Sequence, residues 1–250
     1  MKTALLFFVL FGIDTVHAQV NCPLAKASLK SQASDIEKLC SAATPVNQAK
    51  GCSSADNTRP LKTLGLQDTA PMSKEVTWGN FGDVFDSFEG VDAYSNKPGT
   101  GGGKYQCTEL AHRFMHDVYG VPTRLGIGLG DGDKLAKNMA TRFKNVVLEN
   151  PNTQGKKARL AYVENKCSGN APVVGSMVSI KYSKWGHVGI VRDAKMLDDN
   201  HMQITLFEQH GVMRLKAGEK TKRTQFVLTK DASGHWSGPN VVGWINLVEI

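Results

Sequence analysis

The sequence predicts an α+β domain, on three observations. Apolar residues recur at helical spacing through residues 107–147, short β-rich runs separated by turn formers fill residues 173–249, and no internal repeat breaks that order. Helices first and consecutive strands afterwards imply helices packed on an antiparallel sheet.

Residues 1–18 carry Lys2, an apolar run over 4–13, and Val16-His17-Ala18 at the end. This is the pattern of a secretory signal peptide cleaved near Ala18. It is too short for a membrane span, which needs ~20 apolar residues. The expected location is therefore secreted, periplasmic or extracellular. The leader holds one lysine and one aspartate, so the formal charge of +7 survives its removal. The basic residues are scattered and do not alternate with aromatics as a nucleic-acid stacking groove would, so a polyanionic cell envelope suits the charge better than nucleic acid, with a merely solubilising basic surface the equal alternative.

Residues 19–75 read as a small helical extension. Ala25, Leu29, Ala33, Ile36 and Cys40 follow helical spacing, and a stretch rich in turn formers comes after them. The extension holds Cys22, Cys40 and Cys52; with Cys107 and Cys167 the total is five. Export favours disulfides, and an odd number leaves at least one thiol over. Leaving out Cys107, the other four pair in one of three ways.

Residues 76–250 suffice for one ordinary domain. Its first helix starts near Cys107, carries Leu110, Ala111, Phe114, Met115, Val118 and Tyr119 on one face, and stops at Gly120-Val121-Pro122. A second helical stretch aligns Leu135, Met139, Phe143 and Val146 or Val147. After a polar segment, residues 150–171, the runs VVGSMVSIKY, HVGIVRDAK, QITLFEQ, TQFVLTK and VVGWINLVE read as strands.

Cys107 follows the glycines at 101–103 and opens a helix, where unpaired N–H groups and the helix dipole favour a thiolate. Packing or a disulfide remains open at this point. His187, after Trp185-Gly186, opens an apolar strand and is the candidate base for a thiol nucleophile. Strand alternation puts Ile204, Leu206, Glu208 and His210 on one face. A carboxylate on a core-facing row requires a partner, the alternative being a strand-end glutamate that reaches water. His112 and His116 lie one turn apart but have no third ligand beside them, and they read as solvated or capping histidines rather than a metal site. Asp131 and Asp133 flank a glycine as in calcium loops, yet the twelfth position is Arg142; the stretch reads as a loop beside a substrate groove. Trp185 reads as a wall of the same groove and Trp244 as core. No metal and no cofactor are expected.

Taken together and in this order, YQCTELAHRF, GHVGIV and EQHG resemble the CHAP domain, the cysteine, histidine-dependent amidohydrolase/peptidase family of the papain-like and NlpC/P60-like group. The resemblance covers roughly the C-terminal 150 to 175 residues, with the extension outside it. It implies a papain-like fold with Cys107 as nucleophile, His187 as general base and then acid, and Glu208 orienting the imidazole. The backbone N–H of Cys107 would form half of the oxyanion hole, with Gln106 or Tyr105 supplying the rest. Where the family often has asparagine this chain has His210, which leaves that helper role open. The implied partner is bacterial peptidoglycan, cleaved either at the sugar–peptide amide or at an amide between amino acids; a monomer is expected, with a proteinaceous inhibitor as a further candidate partner. Two other readings are a non-catalytic cell-wall-binding or toxin-like module on the same fold, and an amidase for a soluble peptide–amine conjugate. The leader disfavours the last.

Overall fold

The computed structural model describes residues 75–96, 105–149, 151–153, 155–209 and 216–250, all within the unit Ser53–Ile250. The leader, the extension with Cys22, Cys40 and Cys52, and His210 lie outside the described residues. No helix among the described residues is long and apolar enough to cross a membrane.

Three strands open the described part: β1 (Glu75–Thr77), β2 (Val84–Phe88) and β3 (Val91–Tyr94). Two helices follow, α1 (Cys107–Tyr119) and α2 (Gly132–Arg142). Then come β4 (Ala158–Glu164), β5 (Met177–Ile180), β6 (His187–Asp198), β7 (His201–Phe207), β8 (Lys220–Lys222), β9 (Gln225–Lys230), β10 (Trp236–Ser237) and β11 (Val241–Glu249). A seven-stranded antiparallel sheet runs in the order β10-β9-β7-β6-β5-β11-β4; β1 pairs with β8, and β2 with β3, as separate ribbons.

All five strands read from periodicity form where expected. Their near-continuous apolar runs follow from a curled sheet buried on both faces. Met177, Val188, Ile190, Ile245 and Leu247 point to the core shared with Leu110, Phe114, Leu135 and Met139 of the helices. Val178, Ile180, Val191, Leu206 and Trp244 point to a second core on the opposite face. Along β11, Trp244 and Ile245 therefore enter different cores, as a period of two requires. Val146 packs against the helical core, while Val147 is exposed.

Two expectations need correction. Among the described residues the helices do not come first, because β1–β3 precede them; and the polar segment holds β4, which pairs with β11 over seven residues at the sheet edge. The ribbon β2–β3 is closed by Glu89-Gly90, both with positive φ, 53° and 75°. That is the twist a tight hairpin needs. Its faces carry mixed polar and apolar residues because its polar side chains find partners elsewhere in the fold: Asp86 binds Arg192 of β6 and Arg223 after β8.

Candidate active site

The approach to Cys107 is a sharp reversal of the backbone. Tyr105 has φ 58°, a conformation unfavourable for a side-chain-bearing residue. Its carbonyl accepts a hydrogen bond from Asn96 Nδ2 at 2.9 Å, and its ring packs against Phe81 and Tyr94 at centroid distances of 5.3 and 4.9 Å. Gln106 then takes extended geometry as N-cap, and Cys107 is the first helical residue. The buried face of α1, from Leu110 through Phe114 to Val118, holds this start against the sheet. Its first amides have no helical partner. The thiol exploits this: Cys107 sulfur accepts from the backbone N–H of Thr108 and of Val188 in β6, and hydrogen-bonds His187. Among the described residues Cys107 is a free cysteine.

His187 opens β6 opposite Ile180 of β5. Its Nε2 lies 2.6 Å from Glu208 Oε2, which leaves Nδ1 for the Cys107 thiol. Helix α2 locks this geometry. Gly132 N–H donates to the Trp185 carbonyl at 3.1 Å. The Ser179 hydroxyl donates to Gly132 O at 2.7 Å and accepts from Ala136 N–H at 3.1 Å. A Cβ on Gly132 would come within 2.7 Å of the His187 carbonyl carbon. The stretch expected to be a groove loop is therefore the start of α2: Asp131 is its N-cap and Asp133 lies in its first turn.

Glu208 follows β7 and is almost as enclosed as the histidine, the side chains being 12 % and 8 % exposed. Thr224 completes its environment with both hydroxyl and backbone hydrogen bonds. The alternation argument for Glu208 holds only in part, since Thr205 and Phe207 are as buried as Ile204 and Leu206. No local pattern marks Thr224. Gln209, fully buried beside Glu208, was likewise missed; an amide in a Glu-Gln pair was its only signal.

Electrostatics couple the three groups. Burial pushes the Cys107 thiol up, but its hydrogen bond and charge interaction with His187, with help from the Val188 and Thr108 amides, hold it below its ordinary value. Burial alone would depress His187; hydrogen bonds to Cys107 and Glu208 and the negative charge of both raise it to about 10. Burial would raise the Glu208 carboxyl, yet His187 and Thr224 hold it below its usual range. Each charge in the row thus favours the charged form of its neighbour, against the burial of all three.

Trp185 is 60 % exposed immediately before Gly186-His187. Tyr182, not anticipated, is also half exposed, with its ring 6.0 Å from the His187 ring. His112 is buried and bound to Thr123 Oγ1 at 2.6 Å, whereas exposed His116 pairs with Asp117. The two helix histidines thus have separate partners. No group of three metal-ligating side chains occurs among the described residues.

No curated protein matches the sequence. A family model described as the CHAP domain matches residues 96–210, a span that contains α1 with Cys107, the opening of β6 with His187, and Glu208, so this part of the chain is similar to the CHAP domain family.

Proposed function

We propose that the protein is a secreted cysteine amidase or endopeptidase that hydrolyses amide bonds in bacterial peptidoglycan peptides. The CHAP match points to a peptidoglycan-related amidase or peptidase. The observation that carries the finer reading is the enclosed row Cys107–His187–Glu208, in which the thiol is depressed and the imidazole raised by one another. The pattern of residues 1–18 supports export, and a net charge of +7 suits an anionic polymer.

In the mechanism, the Cys107 thiolate adds to the amide carbonyl, whose oxygen becomes an oxyanion. The Cys107 backbone N–H, free of a helical partner at the start of α1, is one donor to that charge; such a donor contributes about 2.7–4 kcal/mol. Protonated His187 gives its proton to the departing nitrogen, the C–N bond breaks, and a thioester with Cys107 remains. Water then adds to the thioester as His187 takes its proton, releasing the acid and regenerating the thiolate. Glu208 holds Nε2 and stabilises the charged ring whenever it carries the extra proton.

The test is digestion of purified peptidoglycan with wild type and Cys107→Ala, followed by mass spectrometry of the fragments. Wild type should release fragments that Cys107→Ala does not. New amino termini identify an endopeptidase, and intact stem peptides identify the sugar–peptide amidase; release of neither overturns the reading. Independently, iodoacetamide should alkylate Cys107 of the unreduced protein rapidly near neutral pH. A free Cys107 thiol disfavours the binding-module alternative, which requires it in a disulfide.

A further inference from the structure

The residue after the catalytic carboxylate makes a buried three-way junction that the reaction as described does not use. Gln209 is 0 % exposed. Its Oε1 accepts the Tyr94 backbone N–H of β3 at 2.7 Å. Its Nε2 donates both protons to the nucleophile helix: to Glu109 Oε2 at 2.8 Å and to the Gln106 carbonyl at 3.3 Å. That carbonyl is the N-cap acceptor of α1, already bonded to Leu110 N–H at 3.1 Å, and it belongs to the residue that precedes Cys107. The Glu109 end is itself tied down. Arg113 grips the Glu109 carboxylate through Nε at 2.8 Å and Nη2 at 3.2 Å, donates Nη1 to Asp92 O at 2.7 Å, and lies over the Tyr94 ring.

Both amide protons and the amide oxygen of Gln209 are thus satisfied, as burial demands. One peptide bond joins it to Glu208, so its side chain ties the carboxylate end of the catalytic row to the sulfur end. These two ends come from segments about a hundred residues apart, and apolar packing alone lets a helix slide by fractions of an ångström. A misplacement of ~1 Å costs about 10²-fold in rate.

We propose that Gln209 is a positioning residue: it pins the N-cap carbonyl and first turn of α1 to the Glu208 segment, and thereby sets the separation of Cys107 from His187. The proposal rests on the proposed function for its kinetic consequence only.

The experiment compares Gln209→Glu, which keeps the shape and the acceptor but loses both donors, with Glu109→Ala, which removes the partly exposed helix-side anchor. Each variant is checked for folding by circular dichroism and thermal unfolding. Then kcat and KM on peptidoglycan, and the pH dependence of Cys107 alkylation, are measured. Gln209→Glu should lower kcat by about 10- to 100-fold with KM within about twofold. The alkylation midpoint should move to higher pH, because a displaced imidazole stabilises the thiolate less. Glu109→Ala should move it the same way by a smaller amount. Wild-type kcat and an unshifted alkylation profile in a folded Gln209→Glu protein overturn the proposal. Should that variant not fold, an unshifted profile in Glu109→Ala overturns it equally. A wild-type protein that releases no fragments from peptidoglycan overturns the proposed function instead, and the alkylation profiles still decide the role of Gln209.

Discussion

A thiol 9 % exposed among apolar side chains would ordinarily stay protonated. At Cys107 the hydrogen bond and charge of His187 and two backbone amides outweigh burial and lower the pKa, and His187 is in turn held by Glu208. In the proposed mechanism the reacting ion pair exists between the lowered Cys107 pKa and the raised His187 pKa. The rate should therefore rise with pH as the thiol ionises, at a midpoint below 9.0, and fall again as imidazolium loses its proton at about 10. A pH profile of kcat/KM checks both limbs, and a base limb near 6.5 would contradict this assignment. Glu208→Gln removes the negative charge while keeping the shape. It should lower kcat by about 10²-fold and bring the base limb to lower pH, since His187 loses a charge that raises it. Unchanged kinetics would take Glu208 out of the mechanism.

At the scale of elements, the histidine is placed by two glycines that let α2 and the turn before β6 touch. Gly186 has φ 64°, and its missing side chain leaves room for Asp133. Gly132 sits against the His187 backbone. In a free helix, Gly→Ala stabilises by about 1 kcal/mol. Here the added methyl enters an occupied space, so Gly132→Ala should instead destabilise by about 1–3 kcal/mol and lower kcat by more than about tenfold. Thermal denaturation and steady-state kinetics measure both, and a raised Tm would show that the contact is not tight. The helices and the five strands were legible because each carries its own apolar period: Leu110, Phe114 and Val118, or Trp244 against Ile245. The short strands β1–β3 and the edge strand β4 were not. Their polar residues look like loop until the partners of Asp86 or the β11 register are known.

Across the described residues, separate sheets are tied by buried polar junctions as well as by two apolar cores. Asp86 of β2 takes Arg192 Nη1 at 2.7 Å and Arg223 Nη2 at 2.8 Å, joining the β2–β3 ribbon to the main sheet and to the segment leading from β8 to Thr224. Removing the carboxylate would leave two enclosed guanidinium groups without their shared anion. Asp86→Ala should cost about 3–5 kcal/mol, roughly 10 °C in Tm for a domain of this size. A loss below about 1 kcal/mol, read from denaturant unfolding, would show that water or other groups replace the junction. Because Arg223 adjoins Thr224, a hydrogen-bond partner of Glu208, the same variant should also slow the reaction beyond the fraction unfolded.

The chain by itself marked the candidate groups and the order in which they come: a cysteine at a helix start, a histidine at a strand start, a glutamate at a strand end. Helical position, period and side-chain type are local properties, readable within a few residues. Only the tertiary structure decided that Nε2 of His187 meets Glu208, that Thr224 bonds Glu208 and Gln209 bonds the start of α1, that Asp131 and Asp133 begin a helix, and that Asp86 serves two arginines. Those outcomes depend on polar partners drawn from distant segments, up to 137 residues apart for Asp86 and Arg223. Such pairings carry no period, and burial makes them obligatory only once the fold has brought the groups together.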